Sequence, residues 1–225
     1  MRNLVQLNVL APPLALLRRR LRGRWWIEHT DTTDQPVRDL PEGVDPEIRQ
    51  ERQTQEEGVG AVVSRRYELV ITAEAAASEA VIGRLLGDPN ELAPESYAVF
   101  SEPITRVGQH LTVSLAGPWD GPVEVRELGA RTLLLGTREG HMEAGWIRFS
   151  ATDLEPDATH QRVRFVIVSA ARAGDPAFWA LHVLAKVGQW VQADMWCRVL
   201  EESAHLAGQA NPPRVRVRTL THQPG

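Results

Sequence analysis

His141 and Glu143 stand two residues apart in the run Gly140-His141-Met142-Glu143-Ala144-Gly145. If the strand that follows already begins at Gly140, both side chains leave one face, with Gly145, Ile147 and Phe149. An imidazole and a carboxyl ending an apolar row would suit the mouth of an apolar pocket. There they would orient a ligand's polar group or act as acid and base. The bland alternative is a hydrogen-bonded pair beside a hairpin turn. A second group, Trp179, His182, Lys186, Gln189 and Trp190, recurs at three-to-four spacing along one side of a helix. Lys186 is the single lysine beside 24 arginines. A lysine's pKa falls readily on burial, so a lone one can do chemistry, although a solvated helix face explains it equally. Trp119, Trp146 and Arg164 complete the candidate ligand contacts. Tryptophans at such positions serve either the core or a ligand platform.

Other chemistry is poorly supported. Asp194 and Arg198, four apart, read as a helix-stabilising pair. Cys197 is the only cysteine, which excludes an internal disulfide and fits a reducing compartment. In an apolar helix it reads as buried and inert. The seven histidines include no pair with helical ligand spacing around a glutamate, and no cysteine knuckle exists, so no metal is expected. Gly58-Val59-Gly60 is followed by Val63 where a dinucleotide fingerprint needs glycine. Phosphate-loop and nucleophile-elbow motifs are absent, so no cofactor is expected.

The strongest local charge signal is Arg18-Arg19-Arg20-Leu21-Arg22-Gly23-Arg24-Trp25-Trp26. Pro12-Pro13 can start a helix across residues 14–21. Arginines and tryptophans behind an apolar run suit a membrane surface or a phosphate backbone. Alternatively the helix packs on the domain and its arginines pair with the acidic stretch 28–57. Residues 1–24 carry +6 and residues 28–57 carry −7. The whole chain carries −4, so no nucleic-acid partner is expected. The apolar N-terminus has its arginines behind it and no small-residue cleavage site, unlike a signal peptide. It is too short and too interrupted by proline to span a bilayer. A cytoplasmic location is expected.

These residues need elements to hold them. Residues 66–73 alternate, with Tyr67, Leu69 and Ile71 on one face. A short helix is expected at 78–86. Strands are expected at 97–102, 110–115, 123–128, 131–137, 144–152 and 162–171, with turn signals between them. Asp175 and Pro176 then open a helix running to about Leu206, closed by Gly208. Residues 212–220 can add a short terminal strand. The stretch 28–57 reads as a loop or linker with one helical turn near 46–53. The expected fold is α+β: a curved antiparallel sheet of six to seven strands around a long C-terminal helix, the helix-grip arrangement. The expected division is an N-terminal extension (1–60), the helix-grip domain (61–208) and a tail (209–225).

Residues 61–208 resemble the START/polyketide cyclase-like (SRPBCC) superfamily, which includes the major birch pollen allergen. The run YELVITAEAAASEAVIGRLLGDPNEL is similar to its usual opening strand and helix. The run from Gly117 to Leu154, with Gly140, His141, Glu143, Gly145 and Phe149, resembles an uncharacterised bacterial branch with a G-H-x-E-x-G-x-x-x-F signature. AARAGDPAFW is similar to that branch too. The resemblance implies a cavity between sheet and helix for a lipid or other apolar small molecule. It leaves open an enzyme of cyclase or hydrolase type on the same fold. It also leaves open a closed-core interaction protein using the Arg-rich N-terminal helix. It transfers no catalytic residue.

Overall fold

A computed structural model describes residues 11–21, 26–33, 53, 57–115, 120–154, 161–174 and 187–222. Period-two patterning dominates it. In β2 (Val59–Ala73), Tyr67, Leu69, Ile71 and Ala73 are buried while Arg66 and Glu68 face the other way. β4 (His110–Leu115) alternates likewise, whereas β6 (Thr132–Thr137) is buried on both faces; β5 (Asp120–Leu128), β7 (Glu143–Asp153) and β8 (Gln161–Ala173) complete the antiparallel run. Three-residue β3 (Ala98–Phe100) ends one edge of the sheet. The other edge comes from the chain's two ends. β1 (Ile27–Thr33) and β9 (Arg216–His222) run parallel, and β9 pairs antiparallel with β2. The order is β1-β9-β2-β8-β7-β6-β5-β4-β3.

Among the described residues the architecture is therefore α+β with a nine-stranded, mostly antiparallel open sheet. The expected six to seven strands become nine because residues read as extension and tail each supply one. β1 was expected as loop: its sequence IEHTDTT is exposed almost throughout. An edge strand with two polar faces has no alternation to detect.

One sheet face is covered by helices. α1 (Ala11–Leu21) precedes β1; α2 (Ala75–Gly87) is Ala-rich, matching its helix propensity, and buries Val81, Ile82, Leu85 and Leu86. Asp88 accepts the Asn90 backbone N–H at 3.1 Å, turning the chain after α2. A 20-residue helix, α3 (Val187–Leu206), lays Trp196, Cys197, Leu200 and Ala204 into the core. Trp196 meets Phe149 of β7 edge to face, 5.3 Å between centroids. Tyr67, Ile167 and Phe149 form one cross-strand row under it. The expected start of this helix at Asp175 and Pro176 lies outside the described residues.

Candidate functional site

The register of β7 and β8 is unbroken, so parity assigns the faces. Phe149 faces α3. Glu143, six residues earlier, shares that face; Trp146, three residues earlier, does not. Beside them Arg65, Ser169 and Ile147 form a row, next to the Tyr67–Ile167–Phe149 row. The apolar, helix-covered face thus turns polar at the end where β7 begins.

There the side chains link up. Arg65 Nη1 donates to Gln192 Oε1 at 2.7 Å. Gln192 Nε2 donates to both Glu143 oxygens, at 3.0 and 3.2 Å. Arginine only donates and an ionised carboxylate only accepts, so the chain fixes the glutamine's orientation. Burial raises the Glu143 carboxyl above its ordinary range, opposed by the Arg65 charge and the Gln192 hydrogen bond. Tyr67 is fully buried; its phenol lies beside the Arg65 guanidinium without a hydrogen bond of normal geometry. Burial pushes its pKa up. Thr219, paired with Arg65 across the strands, also has a buried hydroxyl with no hydrogen-bond partner among the described residues.

His141 stands just before the strand, not on it, because β7 begins at Glu143. Its Nδ1 accepts the Glu143 backbone N–H at 2.8 Å. With that nitrogen accepting, a neutral ring carries its hydrogen on Nε2. Burial lowers its pKa to about 4, so it is neutral near pH 7. Among the described residues no hydrogen bond joins the imidazole to the Glu143 carboxylate. The expected pair is a turn-forming imidazole and a separately engaged carboxyl.

The surrounding run has physical reasons for its residue types. Gly140 has φ +87°, a left-handed conformation favouring glycine. A Cβ on Gly145 would fall on the Ala170 carbonyl of the neighbouring strand, and the Gly145 N–H donates to Thr137 Oγ1 at 2.8 Å.

The other expected contacts separate. Arg164 and Trp146 lie on the opposite sheet face; Arg164 Nε faces Glu68 at 3.3 Å. Their parity opposite Phe165 and Phe149 was legible and points away from a cavity. Trp190 is 39% exposed. Trp119, Trp179, His182 and Lys186 lie outside the described residues. Arg65 and Gln192 were missed. The available signal was Arg65 itself, a charge at the parity of Tyr67, Leu69 and Ile71.

The Arg-rich helix is clasped from within the domain. Arg19 Nε lies 3.2 Å from Asp194, and its fork grips both oxygens of Glu201. Asp194, fully buried, also accepts Tyr97 Oη at 2.6 Å and Arg198 Nε at 2.8 Å. Arg19 thus pairs with acids of α3, while most of stretch 28–57 lies outside the described residues. The Asp194–Arg198 pair is part of an inter-element network. Trp26 is buried, while Arg18 and Arg20 are exposed; Arg22, Arg24 and Trp25 lie outside the described residues. Cys197 is free and buried, which raises its thiol pKa. Among the described residues no helix is long and apolar enough to cross a membrane, and no His, Cys, Asp and Glu group could hold a metal ion.

No protein-family profile matches the chain, and no curated protein does. Among solved structures it is similar to Mll3558 from Rhizobium loti, at 14% identity and TM-score 0.39, covering 64% of this chain and 98% of that one. A protein from Arthrobacter aurescens gives 17%, TM-score 0.40, and coverages of 65% and 88%. The di-domain ARO/CYC StfQ from the steffimycin biosynthetic pathway gives 12% and TM-score 0.47. There 68% of this chain matches about half, 52%, of the other. At such distances these likenesses assign no residue a role.

Proposed function

We propose that the chain is a helix-grip domain enclosing an apolar small molecule between the concave sheet face and the long helix. Arg65, Gln192 and Glu143 hold the molecule's polar end. The observation that carries this reading is the hydrogen-bonded polar chain closing an otherwise apolar row. The Tyr67 and Thr219 hydroxyls beside it support the reading, since buried polar groups normally find partners and a ligand oxygen would supply one.

The test is native mass spectrometry of the purified protein, then organic extraction and mass analysis. The expected result is one apolar compound at near one-to-one stoichiometry. Gln192→Leu should weaken its retention about tenfold, the scale of a lost hydrogen bond to a charged group. A bare chain mass with no uptake of a hydrophobic dye would overturn the reading. The raised Glu143 carboxyl favours a second reading, an enzyme in which it donates a proton. Its signature would be turnover lost in Glu143→Gln with binding retained.

A further inference from the structure

The opposite face of the same strands holds a different kind of site. A groove of about 570 Å³ opens between β8, β2 and the start of β9. That volume lies within the range of small-molecule sites. Its charged lining is Arg162, Arg164, Arg214, Arg216 and Glu68, four cations against one anion. Its floor and rim include Ile27, Val70, Leu154 and Pro213.

The strands set this geometry. Arg162 and Arg164 are two apart on β8, so both point outward at a spacing of roughly 7 Å. Arg216 comes from β9, on the far side of β2, placing the two arginine rows about 10 Å apart. Between them Glu68 faces Arg66 and Arg164, at 2.9 and 3.3 Å. The one carboxylate among the described lining residues is therefore already engaged. Arg162 and Arg216 are exposed and have no carboxylate partner among the described residues. Guanidinium forks match phosphate oxygens bidentately, and their stems can converge from both rows. The apolar floor would take an organic substituent.

We propose that this groove binds a small organic phosphate carrying two or more negative charges, most simply a diphosphate. It is separate from the concave site, because alternation sends Arg164 outward and Phe165 inward on one strand.

Isothermal titration of the intact protein with inorganic pyrophosphate at low salt tests this. Saturable binding in the submillimolar range is expected, weakened by raising salt to ~0.2 M. Arg162→Gln with Arg216→Gln should weaken it about tenfold or more, without moving the unfolding midpoint, because both side chains are exposed. Glu68→Gln should tighten it several-fold by removing the like charge. Hexyl phosphate should bind more tightly than inorganic phosphate through the apolar floor. No saturation by ~10 mM pyrophosphate overturns the proposal. So does undiminished binding in the double variant, or weakened binding in Glu68→Gln. Equal affinity for hexyl phosphate and phosphate overturns the role of the floor.

Discussion

Replacing Arg19 with alanine tests how α1 is held. The guanidinium is 8% exposed and reaches Asp194, itself fully buried, and Glu201. Burial opposes its charge, yet the hydrogen bond and charge of Glu201 and the charge of Asp194 leave its pKa raised. Removing one partner of a buried ion pair costs about 3–5 kcal/mol when the other is stranded. Here the loss is smaller. Asp194 keeps the Tyr97 hydroxyl and the Arg198 guanidinium. Glu201, a quarter exposed, can turn to water. The expected cost is therefore about 2–3 kcal/mol. Arg18→Ala, one residue away and exposed, should cost under ~0.5 kcal/mol. Urea unfolding followed by tryptophan fluorescence measures both. With a slope of about 2–3 kcal/mol/M, Arg19→Ala should lower the midpoint by roughly 1 M at constant slope. Equal midpoints for the two variants would refute the reasoning, because Arg19 would then be one more surface charge.

Gly145→Val should destabilise by about 3 kcal/mol or more, since its side chain meets the Ala170 carbonyl of the paired strand. Thermal unfolding measures it. His141 gives a signed pH dependence. Its folded pKa of about 4 lies below the ordinary 6.5. The unfolded chain therefore takes up the proton first, and stability present above pH 6.5 is lost as pH falls toward 4. After allowance for partial exposure the loss is about 2–3 kcal/mol. The raised Glu143 carboxyl acts oppositely, its contribution present at low pH and lost as pH rises. Unfolding free energies across pH 4–7 should thus fall less steeply toward acid in His141→Gln than in the native chain; identical curves would remove His141 from the balance.

The elements that could be read from sequence bury one face. Tyr67, Leu69 and Ile71 announce β2, and the Ala-rich run after it announces α2. β1 was hidden because its ordering comes from β9, almost the whole chain away. The site was half visible. Glu143 stands out by motif, but Gln192 and Arg65 come from separate elements, and no local spacing links them. Arg164 and Trp146 were misplaced by residue type although parity already assigned them outward. Asp194 looked like half of an intrahelical pair because Arg19 and Tyr97, which complete its network, are distant in the chain.

The interleaving of β9 between β1 and β2 has a consequence for biosynthesis. β1 is synthesised well before β9, its one sheet neighbour among the described residues. It has nothing to pair with until residues 216–222 have been made. Until then the outer edge of β2 is an unsatisfied row of backbone groups, open to other chains. A chain cut at residue 215 would therefore lose two strands, not one. It should be recovered mainly as aggregate even though most of the core sequence is present. The seven-residue strand β9 acts as the closure that makes a nascent chain safe from its own neighbours.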